Sequence, residues 1–315
     1  MLKISLDELL TNFLSETPDL LSVLIVDYDG LIIAQQSVYN FDEEIIGAVV
    51  SILDETISKI KRYAKTSFGS GTFDTNAFRL FYMELGSKNP AIFAMVTDHY
   101  KEIVKYIPYS YIVAEKISQV LNHRDTSIPL SLPSFKDNGQ IRLKSINSDL
   151  IHKLIIVGQD QTGKSSLVEM YVNGNFKAEY IPTLGVSFVE KEFQITKRMK
   201  LLFHIYDMGG LKCFAKIRKP FYHNAEAVII MFDFSKIDTL NEINEWIEEA
   251  CRFTNADKIP YILVGNKADL IENRMEISNK ANQIAQQYNL TYFETSALTG
   301  EGLDELFMHL TSKLS

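Results

Sequence analysis

A glycine-rich loop that ends in a lysine is the clearest chemistry-bearing stretch of the sequence. Gly158 and Gly163 frame four residues and are followed at once by Lys164 and Ser165, after the apolar run 154–157 and before a helical pattern. In such a loop, backbone N–H groups and a helix N-terminus converge on phosphate, the lysine contacts the β- and γ-oxygens, and the hydroxyl ligates Mg²⁺. The sequence therefore predicts a phosphate site between a buried strand and a helix.

A second set of residues indicates which base accompanies the phosphate. Asn266, Lys267 and Asp269 follow the apolar run "YILVG", and Ser296-Ala297 follow the later run "TYFE". A carboxylate such as Asp269 can accept both the N1–H and the exocyclic amine of guanine, and adenine offers no matching pair of donors. A backbone N–H of Ser296-Ala297 can reach the guanine carbonyl oxygen. These motifs favour guanine, whereas an ATPase or kinase would need a different base-reading loop.

The elements that must position these residues follow from hydrophobic periodicity. Residues 150–315 alternate strand and helix patterns, which predicts an α/β fold with a mostly parallel sheet flanked by helices. Residues 1–122 indicate a smaller α+β domain in the order helix, two strands, helix, further strands, helix. Asp29-Gly30 is the predicted turn of the first hairpin, and Asp42 is the candidate N-cap of the long second helix.

Residues 123–149 lack this periodicity and are predicted to be a linker. They contain Pro129, Pro133 and Gly139 among many Ser, Asn and Asp residues. A flexible coil of this length would let the two domains touch without fixing their arrangement. The apolar alternation in "SIPLSLP" leaves a second interpretation open, in which this segment lies as an extended arm on one domain.

Composition excludes several classes of function. The chain has 315 residues, 46% hydrophobic and 23% charged, which is typical of two medium-sized soluble domains. A net charge of −8 argues against nucleic-acid binding. Cys213 and Cys251 are interpreted as structural thiols in a reducing compartment. The sequence shows no membrane span, signal peptide or lipidation motif, so we expect a cytoplasmic protein that reaches membranes only through partners.

Residues 151–314 resemble the Ras-superfamily small GTPases. The resemblance implies GTP/GDP and Mg²⁺ as ligands, and exchange factors, activators and effectors as partners. Rab-like features, such as "YIPTLGVSFVEKEF" and "FETSA", are mixed with Arf-like ones, such as "DMGGL" and Asp160 in the glycine loop. No subfamily is assigned on this mixture.

The resemblance also assigns roles to individual residues. Phe176 would pack edge-on against guanine, and Tyr180 would fold over the nucleotide. Thr183 would bind Mg²⁺ and sense the γ-phosphate, Asp207 would hold a Mg²⁺ water, and the Gly210 N–H would bond the γ-phosphate. Core packing for Phe176 and a plain surface role for Tyr180 stay open. The implied nucleotide-binding set also contains Gly158, Asp160, Gly163, Lys164, Ser165, Ser166, Asn266, Lys267, Asp269, Ser296 and Ala297.

Two residues depart from the family pattern. Leu211 stands where a Gln normally orients the attacking water, so we expect very slow GTP hydrolysis. Three interpretations are open: a natural switch that lives mainly in the GTP state, a polar group borrowed from elsewhere, or a deliberate Gln-to-Leu change. Asp160 would be repelled by the phosphates, so we expect it to turn toward solvent or an incoming cation, such as a partner's arginine.

Residues 5–122 resemble the roadblock family of small α+β modules, on the order of elements and on "LIVDYDGLIIA" followed by "EEIIGAVVSIL". The resemblance implies pairing into a continuous sheet and regulation of small GTPases, with a homodimer or another roadblock domain as partner. A longin domain is the structural alternative. The rival hypothesis for the whole chain is a non-hydrolysing GTP-binding scaffold.

Overall fold

The chain forms two compact units, residues Met1–Arg142 (unit 1) and Leu143–Ser315 (unit 2), whose division falls inside the predicted linker. The computed structural model describes residues 2–38, 50, 69–86, 91–122, 130–135, 141–142, 150–194, 200–254 and 259–314.

Unit 1 is built on a five-stranded antiparallel sheet with the strand order β2-β1-β5-β4-β3. Its elements are α1 Leu2–Glu16, β1 Leu20–Val26, β2 Ile32–Ser37, β3 Ser70–Asp74, β4 Phe78–Leu85, β5 Ala91–Asp98, a 3₁₀ turn Ile103–Tyr106 and α2 Ile107–Leu121. The predicted first hairpin is confirmed: Gly30 has φ +83° in its turn. The predicted second helix, with Asp42 as N-cap, lies outside the described residues except for Val50.

Apolar residues fill both faces of this sheet. On one face Phe13 of α1 lies between the rings of Phe93 and Tyr109, with centroids 5.9 and 5.3 Å away. On the other face Val50 joins a buried cluster that includes Leu24 and Val96. A sheet of this size that packs apolar residues on both faces can bury a core of its own.

Part of the predicted linker lies on unit 1. Leu132 is buried, and the Tyr109 hydroxyl donates a hydrogen bond to the Pro133 carbonyl. Two short strands, β6 Ser134–Phe135 and β7 Ile141–Arg142, then pair with each other. In its described residues this segment is therefore the extended arm and not a free coil.

Unit 2 contains a six-stranded sheet with the order β13-β12-β11-β8-β10-β9, parallel except for β9, which pairs antiparallel with β10. This confirms the predicted α/β fold with a mostly parallel sheet flanked by helices; the one antiparallel strand makes the sheet mixed. Its strands are β8 Leu150–Gly158, β9 Val186–Gln194, β10 Lys200–Met208, β11 Ala227–Asp233, β12 Tyr261–Asn266 and β13 Thr291–Glu294. Its helices are α3 Lys164–Asn173, α4 Ala215–Arg218, α5 Asp238–Asn241, α6 Ile243–Phe253, α7 Met275–Gln287 and α8 Leu303–Leu314, with 3₁₀ turns Lys212–Phe214, Lys219–Tyr222 and Ala268–Leu270.

The parallel strands end at one edge of the sheet, where ligands bind in open α/β folds. The chain leaves β8 at Gly158, β10 at Met208, β11 at Asp233 and β12 at Asn266. These strand ends, together with the loops and the helix start that follow them, carry most of the candidate residues. Trp246 is buried on α6, and both cysteines are free thiols. No helix in the described part of the chain is long and apolar enough to cross a membrane.

Candidate functional site

The glycine loop joins the buried strand β8 to the helix α3, which begins at Lys164. Gly163 sits at the N-terminus of this helix with φ +90°, and a Cβ atom there would lie 2.3 Å from Nδ2 of Asn266. Both the left-handed backbone and the close contact require glycine at this position. The loop thereby aims the first N–H groups of α3 at the space where the sequence predicts phosphate.

Lys164 is folded back over the loop that precedes it. Its Nζ donates to the carbonyl oxygens of Gly158 at 3.0 Å and Gln159 at 2.8 Å, and the residue is only 5% exposed. Burial lowers the pKa of Lys164 to about 8, opposed by the nearby Asp207 carboxylate. An anion bound at the loop would favour the charged ammonium.

Ser165, Thr183 and Asp207, the three predicted Mg²⁺-site residues, lie together although they come from three separate segments. The Ser165 hydroxyl lies 3.0 Å from the Thr183 hydroxyl and donates to Oδ2 of Asp207 at 2.5 Å. Burial raises the pKa of Asp207 to about 6, against the pull of Lys164 and Ser165.

One oxygen of Asp207 shows whether this site suits a cation. Its second oxygen, Oδ1, is buried and has no hydrogen-bond partner in the described part of the chain. Hydroxyl and carboxylate oxygens are the donors that Mg²⁺ prefers, with water completing its coordination. The residues present therefore suit a hard divalent cation held by two hydroxyls and, through water, by Asp207.

The base-reading segment is fastened to the glycine loop by two side chains. Asn266 donates from Nδ2 to the Thr162 carbonyl at 2.9 Å. Lys267, at φ +63°, donates from Nζ to the Gln161 carbonyl at 2.7 Å and to Oδ2 of the buried Asp233 at 2.6 Å. Base and phosphate segments are thus held at a fixed spacing, as a single ligand spanning both would require.

Ser296 and Ala297 contact the same segment. The Ser296 hydroxyl donates to Asp269 at 2.5 Å, and the Ala297 N–H donates to Oδ1 of Asn266 at 3.1 Å. The Ser296 N–H donates to the carbonyl of Glu301. Since both backbone N–H groups already have protein acceptors here, the expected bond from this pair to a guanine oxygen stays a prediction.

Two nucleotide-contact candidates are placed by their elements alone. Phe176 is half-buried and packs against the core of unit 2, the alternative that the sequence left open. Ser166 lies partly exposed on the first turn of α3. The structure does not join either side chain to the cluster of Ser165, Thr183 and Asp207.

The segment after β10 packs directly on the glycine loop. A Cβ atom on Gly210 would lie 2.4 Å from the backbone nitrogen of Asp160, so only glycine allows this approach. Leu211 follows in an extended conformation with a partly buried side chain. That side chain carries no hydrogen-bonding group, and the polar atoms at this position belong to the backbone.

Asp160 has a hydrogen-bond partner that the sequence did not indicate. Its two carboxylate oxygens accept hydrogen bonds from the Tyr180 hydroxyl at 2.8 and 2.6 Å. Burial and this carboxylate raise the pKa of Tyr180. The expectation that Asp160 turns away from bound phosphate, toward solvent or an incoming cation, stays a prediction. It did not include the Tyr180 hydroxyl, a donor 20 residues away in the sequence.

Sequence reasoning also missed Arg218, a buried arginine that donates to the carbonyl oxygens of Gly209 and Leu211. The only signal in the sequence was a cation in the short stretch "AKIRKPF", which also holds two lysines. Nothing in that stretch distinguishes the buried cation from the exposed ones.

Comparison with known proteins agrees with this geometry. Residues 153–315 match the model of the family described as the Ras family. Ras-related protein Rab-4 of Dictyostelium discoideum is 36% identical over 160 residues, covering 50% of this chain and 77% of that protein. Ras-related protein Rab-2B of the same organism is 32% identical over 183 residues, covering 58% and 87%. GTP-binding protein YPT53 of Saccharomyces cerevisiae is 35% identical over 169 residues, covering 51% and 76%.

Proposed function

The chain belongs to the Ras family, and from this premise we propose that unit 2 is a GTP/GDP switch that works with Mg²⁺. The observation that carries the proposal is the convergence of Lys164, Ser165, Thr183 and Asp207 at the start of α3. A lysine, two hydroxyls and a carboxylate at a helix N-terminus match the needs of a phosphate chain with a divalent cation.

The residues divide the work of binding. Glycine-loop N–H groups and Lys164 hold the β- and γ-phosphates, and Asp269 selects guanine. Mg²⁺, when bound by Ser165, Thr183 and the Asp207 water, neutralises charge on the phosphate oxygens. Thr183 and the Gly210 N–H sense the γ-phosphate, so its loss releases both loops.

Hydrolysis is the weak step in this proposal. Leu211 cannot orient a water for attack on the γ-phosphate, so the conversion of GTP to GDP and phosphate is very slow. This residue also favours the second candidate function, a scaffold in which bound GTP is a structural ligand. Single-turnover hydrolysis separates the two candidates.

Unit 1 supplies the partner-binding part of the proposal. Within its described residues it offers an antiparallel sheet with exposed edge strand β3 and no cluster of metal-binding side chains. This supports a roadblock-like module that pairs with a second copy or with another roadblock domain and regulates unit 2 in cis. The switch is cytoplasmic and reaches membranes through such partners, and its exchange factors, activators and effectors are proteins that recognise the loops around Thr183 and Gly210.

Thermal melting of the full chain tests nucleotide binding. GTP with Mg²⁺ at 100 times its Kd should stabilise the protein by about 2.7 kcal/mol, whereas ATP should not. Asp269→Asn, which replaces one of the two oxygens that accept from guanine with an NH2 donor, should lose most of the GTP effect and is the matched control. Equal stabilisation by ATP, or no stabilisation by GTP, would contradict the proposal.

A further inference from the structure

Arg218 is a buried cation that joins the segment after β10 to the helix α6. Only 2% of it is exposed, and its Nη1 donates to the carbonyl oxygens of Gly209 at 3.0 Å and Leu211 at 3.1 Å. Nε and Nη2 donate to the two carboxylate oxygens of Glu249 at 2.7 and 2.8 Å. The guanidinium also lies 4.6 Å from the centre of the Trp246 ring.

This arrangement fixes the guanidinium from the side of α6, which carries both Trp246 and Glu249. A bidentate arginine–carboxylate pair sets both distance and plane, and the aromatic face below it removes the remaining freedom. Glu249 is itself held by the Tyr222 hydroxyl, which donates to it at 2.8 Å. Arg218 is therefore a rigid donor, and the two carbonyl groups it holds are fixed with it.

The carbonyl of Gly209 and the N–H of Gly210 belong to one planar trans peptide, so they point in opposite directions. Fixing the Gly209 oxygen on Arg218 therefore fixes the direction of the Gly210 N–H. The preceding N–H, that of Gly209, donates to the Gly185 carbonyl at 2.7 Å and so holds the other side of the residue. A charged donor on the carbonyl also polarises the N–H of the same peptide.

We propose that Arg218 is a positioning residue for γ-phosphate recognition, acting through the Gly209–Gly210 peptide and held in place by Glu249 and Trp246. The inference rests on the proposed function, because it deepens the role given there to the Gly210 N–H. It assigns to α6 a part in distinguishing GTP from GDP, although α6 carries none of the nucleotide-contacting residues. The contribution is confined to the γ-phosphate, which GDP lacks.

The experiment compares affinities of the full chain for GDP and for a GTP analogue with a non-hydrolysable β–γ bridge, both with Mg²⁺. Arg218→Lys removes the planar fork, and Glu249→Gln removes the charge that orients it. Each should weaken binding of the analogue about tenfold and change GDP affinity less than about twofold, since one aimed hydrogen bond is lost. Lys216→Ala, an exposed change on the same short helix α4, should alter neither.

A merely structural role for Arg218 would lower both affinities together or only the melting temperature. An unchanged ratio of the two affinities in a folded variant overturns the inference. If Arg218→Lys does not fold, Glu249→Gln decides, because it keeps the size of the side chain and an acceptor oxygen. A parent chain that binds neither nucleotide contradicts the proposed function itself, which separates the two failures.

Discussion

In the proposed switch, Leu211 is the residue that would decide the rate of GTP hydrolysis. Its backbone is well placed, since Arg218 holds its carbonyl and the neighbouring Gly210 lies against the glycine loop. Its side chain cannot hydrogen-bond a water, because an isobutyl group has neither a donor nor an acceptor. The proposal therefore separates nucleotide binding from the chemical step at this position.

Leu211→Gln should accelerate single-turnover hydrolysis of bound GTP by at least about tenfold, since it supplies the group that orients the attacking water. Leu211→Met, an apolar change of similar size, is the control and should leave the rate unchanged. If the Gln variant stays as slow as the parent, even with candidate activators, the non-hydrolysing scaffold becomes the better account.

Residues within the glycine loop and the base-reading loop could be predicted from sequence because their spacing is local. Gly163, Lys164 and Ser165 are consecutive, so the first turn of α3 alone determines their relative positions. The meeting of Ser165 with Asp207 spans 42 residues and was expected only through the family resemblance. The bond between Asp160 and Tyr180 was missed, since neither type nor spacing encodes that approach.

At the scale of elements, the Asp160–Tyr180 pair joins the glycine loop to the segment between α3 and β9. Tyr180 is 51% exposed, so water screens this bond and limits its strength. We nevertheless expect the Asp160–Tyr180 hydrogen bond to slow nucleotide release, because the segment that carries Tyr180 would have to move away before GDP could leave.

Asp160→Ala and Tyr180→Phe should each accelerate GDP release from the full chain about threefold to tenfold, as expected for loss of one partly exposed charge-assisted hydrogen bond. The double variant should be no faster than either single one, since both remove the same bond. Release of a fluorescent GDP derivative measures all four rates. Additive effects of the two changes would show that the residues act independently.

Strand and helix order was predictable from periodicity, yet the contact between α4 and α6 was not. Arg218 reaches Glu249 across 31 residues, and α4 has only 4 residues, too few for a periodic pattern. Buried ion pairs of this kind are set by how two helices approach, which depends on the packing of the whole unit. This is why the residue assigned to γ-phosphate positioning emerged only from the structure.

Across the whole molecule, chemistry and docking are assigned to different units. All the candidate nucleotide-site residues lie in unit 2, while unit 1 contributes a sheet, a buried aromatic core and the arm that contains Leu132. The arm changes where unit 1 ends. Residues 1–122, the domain predicted from sequence, lack the Pro133 carbonyl that accepts from Tyr109.

A fragment of residues 1–142 should therefore be more stable to urea than one of residues 1–122. Burial of the Leu132 side chain alone contributes about 1.5–3 kcal/mol, and the shorter fragment also lacks the hydrogen bond from the Tyr109 hydroxyl to the Pro133 carbonyl. Leu132→Ala in the longer fragment is the matched control, and it should lower the urea midpoint by most of the difference between the two fragments. Equal urea midpoints would place the arm outside the folding unit.

Light scattering of the longer fragment then tests the pairing proposed for unit 1: a dimer supports it, and a stable monomer contradicts a homodimer formed through this unit.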